Sequence, residues 1–294
     1  MKTPFPSLVP LLVMATVCFQ TVLAEDTFFP AGSEWEVVGQ GYKVVEGIAA
    51  KNGTLFYTDV PESKLFRLEP GKPEFLMDKA TAKANGLAFG PDGILYSACM
   101  GEPRITGWNL ESGARKEIPL PSPANDLAIT AKGHLYCTWS ALSAVYHLNL
   151  ADPKPVKAAE MPNPNGITLN HDGTELWVGE FRGDTVRAFP ILADGALGPA
   201  RAAFKVKVPA DGKGLIDGMT PLADGRLLVA TALGLQILST SAPPILIPNP
   251  TPHRANYVRI ITDAEGKRWM YVAHVKSLLR RLTTLEPGSG EPTP

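Results

Sequence analysis

The 294-residue chain is poor in cysteine and histidine, with three Cys and five His residues. The histidines are scattered along the sequence, and the cysteine spacing fits no zinc pattern. Gly-x-Ser-x-Gly elbows, His-Glu-x-x-His helices and glycine-rich phosphate loops are also missing. These absences leave the serine-hydrolase, zinc-protease and nucleotide-binding classes without support.

Neither sign of charge is in excess. The 28 Lys and Arg residues nearly balance the 29 Asp and Glu residues, for a formal net charge of −1. A protein that binds a polyanion normally carries a basic surplus, so no nucleic-acid partner is predicted. Apolar residues make up 45% of the chain, which is enough to build a substantial core.

Only the N-terminus carries an apolar run of notable length, and it has the features of a secretory signal peptide. Lys2 supplies a basic start, the run spans 8–18, and small residues near Ala24 suit a signal peptidase. The alternative, a membrane anchor, is weaker because Thr16 and Gln20 keep the segment short. We therefore predict a signal peptide over 1–24 and an exported mature protein that makes no membrane contact after cleavage.

A unit of about 40 residues recurs along the mature chain. Its clearest copy, 165–179, reads as a polar residue, a short apolar strand, an Asp-Gly turn and a second apolar strand. The six units open at Glu46, Asn85, Asn125, Asn165, Asp217 and Asn256, at successive spacings of 39, 40, 40, 52 and 39 residues. A period of this length with several strands per unit is typical of a β-propeller. The sequence predicts an all-β, six-bladed propeller over 25–285.

The two ends of the chain suggest how the ring closes. Blade six lacks a fourth strand at the C-terminus, whereas 35–45 provides a spare strand before blade one. Pairing the spare strand into blade six would protect an exposed edge. The Gly-, Pro- and Ser-containing tail over 286–294 is predicted to be disordered. The segment 208–215 accounts for most of the longer spacing and is predicted to form a loop at the mouth of the site.

The residues that open the units form a candidate metal centre. The first strand of each propeller blade lines the axis, so six oxygen-bearing side chains, two of them anionic, would converge there. Such a set suits a hard divalent cation such as Ca²⁺. Without a cation, Glu46 and Asp217 would repel each other in a dehydrated channel. The alternative is that these residues make turns or caps. It explains the pattern less well, because each unit has a separate turn about seven residues downstream.

Several motifs resemble those of the senescence marker protein / gluconolactonase / luciferin-regenerating enzyme family. The matching motifs are Glu46-Gly47, Ser122-Pro123-Ala124-Asn125-Asp126, Pro164-Asn165-Gly166 with His171-Asp172-Gly173, and Ile216-Asp217-Gly218. The resemblance implies a six-bladed, calcium-dependent lactonase related to diisopropylfluorophosphatase. It implies that Glu46, Asn165 and Asp217 bind the metal and that Asn125 is a ligand or a substrate contact. It also implies that Arg104 holds a sugar acid.

The mechanism implied by the resemblance is metal-assisted hydrolysis of a lactone, with Ca²⁺ as the first choice and Zn²⁺, Mn²⁺ or Mg²⁺ as alternatives. Asp217 would act as general base on the attacking water. Asn85 and Asn125 would orient the substrate, and Arg104 would hold a carboxylate or hydroxyl group. The alternatives are a phosphotriesterase-like or other ester hydrolase with the same metal, and a non-catalytic propeller that binds a ligand.

Two further residue sets carry weaker predictions. His274 closes the second strand of blade six and is a candidate accessory proton carrier. Cys99 and Cys137 end equivalent strands of neighbouring blades. A disulfide between them would need an oxidising compartment, and adjacent blades usually splay too far for its geometry.

Overall fold

The computed structural model describes residues 27–69, 72–77, 80–139, 141 and 143–288. In these residues the regular structure is almost entirely β, with 24 strands in six four-stranded antiparallel sheets. The first strands of neighbouring sheets contact one another around a common axis. The chain is therefore a six-bladed β-propeller, as the repeat predicts.

The first three blades each use four consecutive strands, ordered outward from the axis. Blade one consists of β2 (Val45–Lys51), β3 (Thr54–Asp59), β4 (Lys64–Glu69) and β5 (Lys72–Met77). Blade two consists of β6 (Ala84–Phe89), β7 (Leu95–Cys99), β8 (Arg104–Trp108) and β9 (Arg115–Pro119). Blade three consists of β10 (Leu127–Ile129), β11 (His134–Trp139), β12 (Ala144–Asn149) and β13 (Asp152–Glu160).

Blades four and five follow the same plan, and blade six departs from it. Blade four consists of β14 (Pro164–Leu169), β15 (Glu175–Glu180), β16 (Thr185–Pro190) and β17 (Arg201–Lys205). Blade five consists of β18 (Met219–Pro221), β19 (Leu227–Thr231), β20 (Gly234–Leu238) and β21 (Ile245–Ile247). Blade six consists of β22 (Ala255–Thr262), β23 (Arg268–His274), β24 (Ser277–Leu282) and the N-terminal β1 (Glu36–Gln40).

The ring closes as predicted, because β1 supplies the outermost strand of blade six. β1 pairs antiparallel with β24, and Glu36 lies opposite Arg280. The Arg280 Nε also donates a 2.8 Å hydrogen bond to the Glu36 carboxylate. This pairing covers the edge of the last blade and joins the two ends of the described chain.

The predictions for the two chain termini agree with the structure only in part. The sequence predicts a disordered tail over 286–294, yet the backbones of Glu286, Pro287 and Gly288 pair with residues 221–223 of blade five. The ordered part of the chain thus extends at least three residues beyond the predicted boundary. Residues 289–294 and the predicted signal peptide over 1–24 lie outside the described residues, so export stays a prediction. Across the described residues, no helix is both long and apolar enough to cross a membrane.

Tight turns join the first two strands of each blade. In blade one, Asn52 and Gly53 both adopt positive φ, at 51° and 77°. A two-residue hairpin turn with two positive φ angles matches the right-handed twist of the strands and favours Asn-Gly. The segment 208–215 forms no strand, in agreement with the predicted loop.

The hydrophobic core lies between the blades. Each of the six clusters of buried apolar side chains combines residues of two adjacent blades. Tyr57 and Tyr257, for example, pack between blades one and six, whereas Tyr96 and Trp139 pack between blades two and three. Each blade buries both faces against its neighbours, which holds the axial ends of the strands in a fixed ring.

Candidate active site

A β-bulge lies at the opening residue of blades one, two and four. In blade four, Pro164 pairs with Glu180 and Ile167 pairs with Val178. Two residues, Asn165 and Gly166, are thus opposite one residue of β15. Blades one and two carry the same irregularity at Glu46 and Asn85. A bulge changes the direction of the local side chain, and bulges are common beside active sites.

A glycine follows the opening residue in four of the six blades, and close packing rather than a turn explains it. A Cβ on Gly47 would lie 1.9 Å from the Asn85 carbonyl oxygen, and one on Gly166 would lie 2.0 Å from the Asp217 carbonyl oxygen. Neither glycine has a positive φ. The axial strands therefore approach too closely at Gly47 and Gly166 for a side chain there. These Asn-Gly and Glu-Gly pairs belong to the axial ring and not to turns.

A cavity of about 440 Å³ opens at the axial end of the first strands. Five of the six opening residues line it: Glu46, Asn85, Asn125, Asn165 and Asp217. All the residues predicted to bind a metal are therefore brought to one cavity. Their common position follows from equivalent registers in successive blades.

Two carboxyl groups in this cavity are electrostatically strained. Burial raises the pKa of Glu46 well above its ordinary value, and repulsion from Asp217 adds to the shift. Burial also raises the pKa of Asp217 to about 6, although the Arg254 guanidinium acts in the opposite direction. Buried carboxylates with raised pKa values lack sufficient positive charge nearby. The cavity therefore favours binding of a cation.

Oxygen atoms suitable for a metal remain without protein partners. The Asn165 Oδ1 is buried and has no hydrogen-bond partner within the described chain. The Glu46 carboxylate accepts no hydrogen bond from any described residue, although it lies among charged groups. Buried oxygens are rarely left unpaired, so such atoms indicate a missing partner. With Asp217, these donors fit a hard divalent cation.

The donor set combines two carboxylates with amide oxygens. In the parts of the chain that the structure describes, no three His, Cys, Asp or Glu side chains are arranged to hold a metal. A site of this composition would depend on the asparagines as much as on the acids. Amide and carboxylate oxygens suit Ca²⁺ better than the softer metals, which prefer nitrogen and sulfur.

Arg254 supplies a positive charge that the sequence analysis did not anticipate. Its Nη1 donates a 2.9 Å hydrogen bond to the Asp217 Oδ2. The guanidinium also lies 5.6 Å from the centre of the Phe181 ring. Both Arg254 and Phe181 line the cavity. Arg254 stabilises the ionised form of Asp217 and competes for it with any bound cation.

The remaining asparagines of the ring differ in their surroundings. The Asn85 Nδ2 lies 2.9 Å from the Met100 Sδ, which also lines the cavity. Asn256 does not line the cavity; its Nδ2 donates a 3.1 Å hydrogen bond to the Val45 carbonyl oxygen. Five opening residues thus face the cavity, and the sixth connects blade six to blade one.

The predicted substrate residue Arg104 does not line this cavity. It begins β8, the third strand of blade two, which lies farther from the axis than β6 and β7. Its guanidinium forms ion pairs with Glu102 and Glu117. Arg104 has a suitable position along the chain, but it pairs with neighbouring carboxylates outside the axial cavity. A substrate contact by Arg104 remains a prediction without geometric support here.

The other sequence candidates also lie outside the cavity lining. His274 is fully buried, and burial lowers its pKa. Its Nδ1 lies 3.1 Å from the His253 carbonyl oxygen, while its Nε2 has no partner among the described residues. Cys99 and Cys137 are both buried and free, so they form no disulfide.

The residues that sequence reasoning missed occupy two recurring positions. Val44, Asn163 and Arg254 each lie two residues before an opening residue, and all three line the cavity. The loops after the second strands supply the rest: Val60, Pro61, Met100, Phe181 and Arg182. Because the first strand starts at the face where the second strand ends, both positions could have been derived from the predicted blade.

Solved structures with the same fold include enzymes and a calcium-binding protein. A gluconolactonase from Xanthomonas campestris has a TM-score of 0.74 at 21% identity, with 88% of this chain and 92% of that chain covered. The calcium-binding protein regucalcin from Agrobacterium tumefaciens has a TM-score of 0.70 at 18% identity, with 87% and 97% covered. A luciferin-regenerating enzyme has a TM-score of 0.70 at 19% identity, with 89% and 99% covered.

At these identities the likeness shows the fold alone, and no curated protein matches the chain significantly. The family itself is shown by a sequence model. The model described as the SMP-30/gluconolactonase/LRE-like region matches residues 44–242, which include five of the six opening residues. This chain therefore belongs to the SMP-30/gluconolactonase/LRE-like family.

Proposed function

We propose that this protein is a hydrolase that requires a divalent cation and opens a lactone ring. One observation carries the proposal: Glu46, Asp217 and Asn165 line the same axial cavity, and the buried Asn165 Oδ1 has no partner among the described residues. Membership of the family and the likeness to a gluconolactonase support a lactonase-type function. The family resemblance favours a sugar-acid lactone as the substrate.

Glu46, Asn165 and Asp217 would hold the cation, and Asn125 lies in the same cavity as a fourth oxygen donor. Calcium is our first choice because all these donors are oxygen atoms. Regucalcin, which shares the fold, is described as calcium-binding. When bound, such a cation polarises the ester carbonyl and lowers the pKa of a water molecule.

Asp217 is the side chain that we propose as general base. Its carboxylate faces the cavity, and the hydrogen bond from Arg254 favours the ionised form that accepts a proton. In the metal-free site burial raises the pKa of Asp217 to about 6, so the carboxylate is a stronger proton acceptor than a free aspartate and is still largely ionised at neutral pH. Asn85 and Asn125 would orient the ring by hydrogen bonds to its oxygen atoms.

The wall formed by Val44, Val60, Pro61 and Met100 gives the cavity an apolar side. Apolar walls limit the access of bulk water to the carboxylates and strengthen electrostatic interactions inside the site. A lactone ring presents both an apolar face and a polarised ester, so it suits a cavity with one apolar and one polar side.

The direct test is a pH-indicator assay of lactone hydrolysis with gluconolactone and simple γ-lactones. We expect activity that a chelator abolishes and that calcium restores. Elemental analysis of the purified protein would show which metal it carries. Activity that persists after chelation would contradict the dependence on a cation.

The same panel separates the alternatives. An ester hydrolase of another kind would act on aryl esters or phosphotriesters in preference to lactones. A non-catalytic binding propeller would bind calcium and hydrolyse none of these compounds. The present geometry favours hydrolysis, because a binding module has no need for a buried carboxylate held ionised beside an arginine.

A further inference from the structure

Two arginines line the axial cavity in addition to its carboxyl and apolar side chains. They are Arg182 and Arg254, and the only other charged side chains that the described residues contribute to the lining are Glu46 and Asp217. Arg182 follows the second strand of blade four, and Arg254 precedes the first strand of blade six. These two arginines have no place in the mechanism proposed above, apart from the contact between Arg254 and Asp217.

The Arg254 guanidinium uses only part of its hydrogen-bonding capacity. Nη1 donates to the Asp217 Oδ2 at 2.9 Å and to the Leu215 carbonyl oxygen at 3.5 Å. Its Nε and Nη2 donate to no described residue. Guanidinium groups present five N–H donors in a planar fork that matches a carboxylate. Arg254 can therefore contact Asp217 and an anionic ligand at the same time.

Arg182 is exposed, and it forms no ion pair or hydrogen bond with any described residue through its side chain. The turn that carries it is nevertheless well held. The Phe181 N–H donates to the Asn163 carbonyl oxygen at 2.9 Å, and the Gly183 N–H donates to the Glu180 carbonyl oxygen at 3.0 Å. Because the backbone of this turn is already held, binding of an anion needs to order only the Arg182 side chain.

The loop over 208–215 supports both arginines. The Gly214 N–H donates to the Gly183 carbonyl oxygen at 3.1 Å, behind the turn that carries Arg182. The Leu215 carbonyl oxygen accepts from Arg254 on the other side. Leu215 has a positive φ of 47°, a conformation that a residue of this size rarely adopts. This loop thus fixes the two arginine-bearing segments in relation to each other.

The charge count favours an anion. Glu46 and Asp217 contribute −2 when ionised, and Arg182 and Arg254 contribute +2. A bound divalent cation would add two positive charges and leave the cavity with an excess of +2. In a partly buried site, such an excess attracts a negatively charged ligand more strongly than it would in water.

From these observations we infer that the substrate is an anionic lactone, whose carboxylate is bound between Arg182 and Arg254. The body of the ring would lie against Val44, Val60, Pro61 and Met100, with the ester directed towards Asp217. The inference rests on the proposed function, since it names the class of lactone that the site accepts.

A binding experiment tests the inference without turnover. The probes are a tetrahydrofuran ring that bears a carboxylate and the same ring that bears a carboxamide. Neither probe has an ester bond. In calcium-loaded protein, calorimetry should show at least roughly tenfold tighter binding of the carboxylate, as expected for a charge-assisted contact. Arg182→Gln should weaken carboxylate binding by roughly tenfold and carboxamide binding by much less.

Three further variants sharpen this result. Arg182→Lys keeps the positive charge but loses the planar guanidinium. It should therefore retain part of the preference for the carboxylate probe that Arg182→Gln loses. Arg254→Gln should also reduce the preference for the carboxylate, with calcium titration as a check that the cation still binds. Arg201→Gln removes an exposed arginine of blade four that pairs with Glu175 outside the cavity, and should leave both affinities unchanged. A preference that survives both Arg182→Gln and Arg254→Gln would mean that the carboxylate binds the cation, and would overturn the inference.

Kinetics separate failure of this inference from failure of the proposed function. The substrates are a γ-butyrolactone with a carboxylate substituent and the same lactone with a carboxamide substituent. We expect a higher kcat/KM for the carboxylate lactone than for the carboxamide lactone. In Arg182→Gln, this preference for the carboxylate should fall by roughly tenfold. Equal hydrolysis of both lactones would contradict the inference and support the function. Selective binding of the carboxylate probe without hydrolysis of either lactone would contradict the function and support the inference.

Discussion

Two groups of polar side chains occupy the axial layer of the propeller, and they differ in their hydrogen-bond partners. Glu46, Asn165 and Asp217 face the cavity, and their oxygen atoms have few protein partners or none. Asp126 and Thr138 lie buried behind them and are bonded to the backbone of neighbouring strands.

The buried group connects one blade to the next. Asp126 accepts hydrogen bonds from its neighbour Leu127 and, across the blade interface, from the Ile167 N–H. The Thr138 hydroxyl donates a 2.8 Å hydrogen bond to the Asn165 carbonyl oxygen. These contacts position the strand that carries Asn165 without using the Asn165 side chain.

Carboxyl groups in this layer differ in their partners, and we expect that difference to separate a role in binding from a role in stability. A carboxyl group that is satisfied by backbone N–H groups stabilises the blade interface. Glu46 accepts no hydrogen bond from a described residue, and Asp217 is bonded to Arg254 at the cavity, so we expect both carboxyl groups to be available to a ligand. Substitutions in the first group should change stability, and substitutions in the second should change binding and turnover.

The largest effect is expected for Asp217→Asn. The amide cannot accept a proton from water, so lactone hydrolysis should fall by roughly a hundredfold to ten-thousandfold. Thermal unfolding, followed by circular dichroism, should show no loss of stability in the metal-free protein at neutral pH, because a buried carboxyl group whose pKa is raised destabilises the fold once it ionises. Full activity in this variant would exclude Asp217 as the base.

Asp126→Asn should instead change the pH dependence of stability. Burial raises the pKa of Asp126 to about 7, while backbone hydrogen bonds act against the shift. Between about pH 4 and about pH 7 the native state binds more protons at this group than the unfolded state does, so the free energy of unfolding falls as pH rises. The Asn side chain does not titrate. Across that pH range, the free energy of unfolding of the wild type should therefore fall by roughly 2–4 kcal/mol relative to that of the variant.

The measurement for Asp126 is urea unfolding of both proteins at several pH values in the presence of chelator. Glu46 and Asp217 titrate in both proteins, and most of their contribution cancels in the difference. Parallel stability profiles for wild type and variant would show that Asp126 ionises freely in the fold.

Asn165→Ala should weaken calcium binding while it leaves the metal-free fold nearly unchanged. The Oδ1 atom that is lost has no partner among the described residues, so its removal breaks no hydrogen bond. Calcium affinity, measured by calorimetry, should fall by at least roughly tenfold to a hundredfold, the range found for supporting contacts at metal sites. Wild type should gain about 2.7 kcal/mol of stability at calcium concentrations a hundredfold above Kd, and the variant much less. Equal calcium affinities would remove Asn165 from the ligand set.

Arg104→Gln is expected to have the smallest effect. Arg104 is held by Glu102 and Glu117 on a more distant strand, and partly exposed ion pairs contribute at most about 1 kcal/mol. The rate of hydrolysis of any lactone in the panel should stay within about twofold of the wild-type rate. A larger loss would require that the substitution remove a direct contact with the substrate. A loss comparable to that of Asp217→Asn would place Arg104 at the substrate after all.

The blade architecture and the composition of the axial ring could be predicted from the sequence alone. The 40-residue period, the turns and the spare N-terminal strand predicted six blades and their closure, because each sheet is built mainly from strands that follow one another in the chain. The same period predicted that Glu46, Asn165 and Asp217 would meet, since equivalent registers in a closed ring must converge on one axis.

The tertiary structure alone decided which charges these residues meet. Arg254 lies 37 positions from Asp217 in the sequence, and Arg104 is separated from the cavity by local carboxylates. Such pairings depend on the contacts between blades, on strand bulges and on the loop over 208–215, none of which follows from the repeat. A repeat specifies where a side chain starts on the ring, whereas its protonation and its partners depend on the groups that neighbouring blades bring within a few ångströms.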